Sequence, residues 1–362
     1  MWVGKLALMA VLPFSRQAMK TFYSAAHLGH APKEEFEGGK LSPAVEVPAR
    51  AERVKAEIET RKLGPVVSPR MFGNEPILRV HDPDLVGFLG VAHQEWIERY
   101  GPDAADAIPS AWPARGMRPQ TATDVESRLG SFAFDTATPI MKGTWVATRA
   151  AVDVALSAAD CIRSGERAAF ALTRPPGHHA SADIFGGYCY LNNAAIAAQW
   201  LADQGLRPAI LDVDYHHGNG TQAIFYARKD VFFGSVHADP SFAYPHFAGF
   251  ADEHGSGAGE NANLNLPLPA RTEWTRYSDA LSHALGEISA FGPDVLLVSL
   301  GLDTFENDPI SDFKLKSDDY LRMGETIAGL RKPTLFVFEG GYDLESLARN
   351  TVNVLEGFLA RH

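Results

Sequence analysis

The chain has almost no cysteine: Cys161 and Cys189 are its two thiols in 362 residues. A disulfide framework is thereby excluded, and a reducing, cytoplasmic setting fits. Long apolar runs are also missing. The longest candidate, residues 6–14, contains Pro13 and is about half the ~18 residues that argue for a membrane-spanning helix, so no membrane partner is expected. Clustered Lys and Arg are absent as well, and the net charge is −11. Nucleic-acid binding needs a basic face to neutralise phosphates, so that class is set aside, whereas an acidic chain can attract a small cationic molecule. No internal repeat or low-complexity tract interrupts the sequence. At 46% hydrophobic and 21% charged residues it reads as a folded globular chain with a large core.

Residues 1–18 stand apart from the rest. Lys5 followed by LALMAVLPF has the charged start and apolar middle of a secretory signal, yet no small-residue cleavage site follows. An N-terminal extension, or a misassigned start upstream of Met19, is the reading, with the folded domain over 19–362. From about residue 140 onward, apolar runs at 168–173, 209–214, 231–236, 294–300 and 334–339 alternate with helical spacing over 145–164, 192–204, 273–291, 317–330 and 344–359. This rhythm predicts a parallel sheet with crossover helices, an α/β fold. The strands are continuously apolar, as strands covered on both faces are. Earlier, KTFY at 20–23 reads as a strand, and 48–60 and 83–100 as helices. Residues 101–130 hold Pro102, Pro109, Pro113 and Pro119 without periodicity. A stretch of that length is expected to cover a site or a partner.

Polar residues with chemical capability sit where several apolar runs stop, and ligands bind outside the carboxyl ends of parallel strands. In ILDVDYHHGNG, Asp212, Asp214 and His216 occupy alternate positions and project to one side of an extended backbone. Buried together they carry uncompensated negative charge, which a divalent cation would balance; the plainer alternative is a capping aspartate with a satisfied histidine pair. In VSLGLDTFENDP, Gly301 lets the chain turn and Asp303 emerges after it. Asp214, His216 and Asp303 then make three protein ligands with a coordination position left open. In LTRPPGHHA, rigid Pro175 and Pro176 present His178 and His179, suited to proton transfer near neutral pH. In FEGGYDLESL, two glycines bring out Tyr342, a phenol that can donate to a forming oxyanion.

With RPPGHHA, GGYCYLNN, DVDYHHGNG, GLDTFENDP and EGGY in this order, the chain resembles the histone deacetylase superfamily of the arginase–deacetylase fold, most of all the bacterial acetylpolyamine amidohydrolases. The resemblance covers nearly everything from Met19 onward. It implies a single three-layer α/β domain around a mostly parallel sheet of about eight strands. It also implies zinc, with iron(II) or cobalt as substitutes, on Asp214, His216 and Asp303. The implied reaction is amide hydrolysis by metal-activated water, with His179 as general base, His178 assisting and Tyr342 as oxyanion donor. Asp212 pairs with His178 in the family pattern. Asn219 stands where some members have an aspartate beside the second histidine, which makes His179 a weaker base. A structural potassium ion is implied on Asp212 and Ser235 with main-chain carbonyls including that of Val236. Gly187, Tyr188 and Tyr244 match substrate-channel positions, and Glu126 is a candidate contact for a distal ammonium. The segment 101–130 corresponds to an insertion that helps form a homodimer and narrows the mouth. A small cationic acylated amine, an acetylpolyamine, is the implied substrate. Alternatives are acyl-lysine proteins or other small amides, an arginase-like ureohydrolase, for which a two-metal ligand set is missing, and a non-enzymatic binder, for which no chemical residue is missing.

Overall fold

The computed structural model describes residues 18–37, 39–117 and 123–361. The expected extension, apart from Ala18, and residues 118–122 of the expected insertion lie outside the described residues.

In chain order the strands are β1 (Lys20–Phe22), β2 (Glu34–Glu37), β3 (Lys40–Pro43), β4 (Val66–Val67), β5 (Ala168–Ala171), β6 (Pro208–Asp212), β7 (Phe232–Ala238), β8 (Asn263–Leu268), β9 (Val295–Leu300) and β10 (Thr334–Phe338). Eight form one sheet in the order β4-β1-β5-β10-β9-β6-β7-β8. Every neighbouring pair in it is parallel. Strands β2 and β3 form a separate antiparallel hairpin.

Strands β5, β6, β9 and β10 are buried along their whole length, because their side chains alternate between two apolar layers. Leu296, Val298, Phe336 and Phe338 join the layer built with the helices Ala49–Arg61, Trp274–Phe291, Ser317–Ala328 and Leu347–Arg361. Val295, Leu297, Leu335 and Val337 join the opposite layer with Pro83–Tyr100, Val125–Phe132, Thr144–Arg163 and Asn193–Asp203. The result is a single α/β domain of three layers around an eight-stranded parallel sheet. No helix among the described residues is long and apolar enough to cross a membrane.

Sequence periodicity missed the short pieces. Strand β8 reads NLNLPL, and its asparagines and Pro267 resemble a loop; it is tolerated as an edge strand, where a missing N–H does no harm. The helix Val125–Phe132 begins inside the segment 101–130, where no periodicity was expected, and runs two residues past it. Two turns are too few to show a period, but Asp124 caps it by accepting from the Glu126 N–H.

What matters for function is strand order. Strands β5, β10, β9 and β6 are consecutive in the middle of the sheet. All run parallel, so the loops after them, carrying His178–His179, Tyr342, Asp303 and Asp214–His216, leave from one edge.

Candidate active site and metal centre

Asp214, His216 and Asp303 each bring one ligand atom into a group whose members lie within 4.8 Å of one another, and all three are buried. His216 Nδ1 is 3.3 Å from Asp214 Oδ1 and 3.0 Å from Asp303 Oδ2. Main-chain donors hold the carboxylates in place. Asp214 accepts from the N–H groups of Gly340 and His216, each at 2.9 Å, and Asp303 from that of Tyr215 at 2.9 Å. A Cβ at position 301 would lie 2.0 Å from Asp214 Oδ2, and one at 340 would lie 2.6 Å from both Asp214 Oδ2 and Asp303 Oδ2. Gly301 is therefore needed for room beside a carboxylate, not for a turn.

The charges in this group call for a cation. Burial and the neighbouring Asp214 push Asp303 up to about 6. Burial opposes charge on His216, yet its contacts with Asp214 and Asp303 raise it to about 9. The two carboxylates thus hold a proton on His216 at neutral pH. A nitrogen and two carboxylate oxygens at this spacing suit a divalent transition metal, which would replace that proton.

The paired histidines stand beside this group, with ring centroids 4.0 Å apart. His178 Nδ1 lies 3.0 Å from Asp212 Oδ2 and its Nε2 lies 3.9 Å from Asp214 Oδ1. Burial works against charge on His178, but Asp214 and Asp212 outweigh it and lift the ring to about 10. His179 Nδ1 meets Asn219 Oδ1 at 2.6 Å. Burial, then the positive charges of His178 and His216, drive His179 well below its ordinary value. The two rings are thereby separated into a charged member and a neutral one. Their loop is fixed by Glu339, whose Oε2 accepts from the Gly177 N–H at 2.6 Å and the His178 N–H at 3.3 Å.

Tyr342 closes the other side. Asp308 accepts its main-chain N–H at 2.7 Å, and the Arg50 guanidinium lies 4.6 Å from the centre of its ring. Burial keeps the phenol protonated far above its usual range.

These groups open into a cleft of about 390 Å³ lined by His179, His216, Tyr342, Gly187, Tyr188 and Tyr244. The His179 and Tyr244 rings meet edge to face at 5.0 Å, and Tyr188 lies 5.5 Å from Tyr342. Two further acids line the cleft, and sequence reasoning did not find them. Glu35, on the β2–β3 hairpin, accepts from Tyr188 Oη at 2.9 Å; Asp135 accepts from Tyr244 Oη at 2.7 Å and from the Gly187 N–H at 2.8 Å. No Lys or Arg is among the described lining residues.

Glu126 is exposed in the first turn of the helix Val125–Phe132, beside Tyr100, and does not line the cleft of its own chain. The residues expected around potassium are adjacent across the sheet: Asp212 on β6 is in register with Ser235 on β7, which precedes Val236. A larger hollow of about 610 Å³ lies beside β1 and the helix Thr144–Arg163, but its charges pair off as Lys20–Glu166 at 2.7 Å and Arg70–Asp160 at 3.2 Å.

Of the residues missed, Glu339 follows a buried strand just as Asp303 follows β9, so the same signal could have found it. Glu35, Asp135, Arg50 and Asp308 carry no such mark.

A central parallel sheet with a buried Asp, His, Asp group and a histidine pair at its carboxyl edge defines a class of metal-dependent hydrolase. Residues 44–358 match the histone deacetylase domain, and the chain belongs to the histone deacetylase family. It is an amidohydrolase. The chain is 50% identical over 345 residues to acetylpolyamine amidohydrolase 2 of Pseudomonas aeruginosa, covering 95% of this chain and 100% of that protein. It is 46% identical over 340 residues to acetylpolyamine amidohydrolase of Mycoplana ramosa, covering 94% and 99%. The crystal structure of acetylpolyamine aminohydrolase from Burkholderia pseudomallei superposes with a TM-score of 0.90 at 40% identity, covering 94% of this chain and 98% of that one.

Proposed function

We propose that the protein hydrolyses the amide of acetylated polyamines, releasing acetate and the free amine. The observation that carries this reading is the cleft. Two tyrosine walls suit a slender alkyl chain, and Glu35 and Asp135 supply negative charge with no Lys or Arg among the described lining residues. The names of the relatives point the same way.

Zinc is the metal we assign to Asp214, His216 and Asp303, where it would polarise the amide carbonyl and make water a better nucleophile. The chain's own residues do the rest. His179 is neutral, and its Nδ1 is engaged by Asn219, which leaves Nε2 to take a proton from the attacking water. His178, held charged by Asp214 and Asp212, offsets the negative charge that develops on the carbonyl and can give its proton to the departing nitrogen. Tyr342 donates a hydrogen bond from its phenol to the same oxygen. The C–O bond to water forms as the carbonyl π pair moves onto oxygen; when that pair returns the C–N bond breaks, and the amine leaves with a proton from His178, made good by the proton that His179 took from the water. We also retain a structural potassium ion at Asp212, Ser235 and the Val236 carbonyl. A homodimer across the segment 101–130 would cover the exposed Trp112 and Met117.

The test compares turnover of N-acetylputrescine, N-acetylcadaverine, longer acetylpolyamines and an acetyl-lysine peptide, with a chelated control. Preference for the acetylpolyamines is expected, and preference for the peptide would displace them. Tyr342→Phe should lower kcat on the order of 10²–10³-fold with metal content unchanged.

A further inference from the structure

Glu46 is 128 residues from Arg174 in sequence and touches no residue of the metal group, yet it joins the two loops that carry the chemistry. Its carboxylate is buried, at 1% exposure, between two equally buried arginines. Arg50 Nη1 donates to Oε1 at 2.8 Å; Arg174 donates through Nε to Oε1 and through Nη2 to Oε2, both at 2.8 Å.

Each guanidinium spends its remaining donors on main-chain carbonyls. Arg50 donates to the Glu339 and Gly341 carbonyls, both at 2.6 Å, and stacks beneath the Tyr342 ring. Arg174, directly before Pro175, Pro176 and Gly177, donates to the carbonyls of His27 and His30 at 2.9 and 2.7 Å. The Glu339 side chain then returns to the Gly177 N–H. A closed ring results, running from the root of the histidine loop through Arg174, Glu46 and Arg50 to the tyrosine loop, and back through Glu339.

We propose that Glu46 is a positioning residue that fixes the Tyr342 loop relative to the His178–His179 loop, acting through Arg50 and Arg174. Bidentate pairing sets the plane of the Arg174 guanidinium, which anchors the root of the histidine loop to the His27 and His30 carbonyls, and the single bond to Oε1 turns Arg50 so that its other N–H groups meet the Glu339 and Gly341 carbonyls. Without the carboxylate, two like charges face each other in a dry interior and both aims are lost. This inference rests on the reading above, in which Tyr342 and His179 act on one substrate.

The test uses metal-loaded, full-length Glu46→Gln and Glu46→Asp, each made alone and in a Tyr342→Phe background. Gln keeps the shape and removes the charge; Asp keeps the charge but is too short to reach both arginines. Turnover and the calorimetric affinity for a short alkyl hydroxamate are both read. In the parent background kcat should fall on the order of tenfold to a hundredfold, with KM within about twofold. In the Tyr342→Phe background the loss should largely vanish, because the group being positioned is already gone. Equal losses in both backgrounds, or an undiminished kcat in a folded variant, would overturn the proposal. Should Glu46→Gln not fold, Glu46→Asp is read by the same criteria. If the parent hydrolyses no acylated amine, the proposed function falls, and the hydroxamate still decides here. Weaker binding that depends on Tyr342 supports the role of Glu46, and unchanged binding removes it.

Discussion

Replacing Asn219 by aspartate adds a charge to the one hydrogen-bond partner of His179 Nδ1 and so tests the protonation of that ring. The contact is short, with Asn219 Oδ1 at 2.6 Å from His179 Nδ1, and it supplies a hydrogen bond without a charge. Burial and the positive charges of His178 and His216 therefore hold the ring well below its ordinary value, and a cation bound at His216 would act in the same direction. A carboxylate placed there acts on the imidazolium from about 4 Å, worth roughly 4 kcal/mol at an effective dielectric of ~20. Burying one more acid beside Asp212 and Asp214 offsets part of this, so a rise of about one to three pKa units is expected. The sign follows from the role. A base must be unprotonated, so raising its pKa moves the acid limb of kcat/KM to higher pH. Asn219→Asp should lose activity on acidification earlier than the parent, by at least about one unit. The assay is a kcat/KM profile from about pH 5 to 9 on one acetylated amine. Coincident acid limbs, or a limb displaced to lower pH, would refute the assignment of His179 as the titrating base.

Two further outcomes are expected. Glu35→Gln keeps an acceptor for Tyr188 but removes a charge from the cleft; at ~7 Å and a dielectric of ~20 this is about 2 kcal/mol, or roughly thirtyfold in kcat/KM for an acetylated diamine. An acetylated monoamine without the distal ammonium should be unaffected, and an equal loss on both would show that the charge is not read. His81 is buried, and its Nε2 accepts the Asn192 N–H at 2.9 Å. Burial lowers it from 6.5 to about 4. Above pH 6.5 both folded and unfolded states leave it neutral and stability is intact. As pH falls toward 4, only the unfolded state takes up the proton, so about 3 kcal/mol is lost. Denaturant melts of the parent and His81→Gln should diverge by about that amount between pH 7 and 4, and parallel curves would exclude His81 as the acid-sensitive group.

The sequence by itself determined the alternation of buried strands and amphipathic helices, and so the class of fold, because continuous apolar runs can be buried only between two layers. It also determined the chemistry at the strand ends. Asp214, His216 and Asp303 follow directly on runs that must be interior, where a polar residue needs a reason to be. Tertiary structure alone decided that β5, β10, β9 and β6 are neighbours, which brings together His178 and Tyr342, 164 residues apart. Hydrophobic periodicity is the same for any order of parallel strands, so adjacency leaves no local trace. The same holds for Glu35, Asp135, Arg50 and Glu46. Each sits on a short hairpin, in an irregular stretch or in a merely helical context, and acquires its meaning from a hydroxyl, a carbonyl or a guanidinium that the chain delivers from far away.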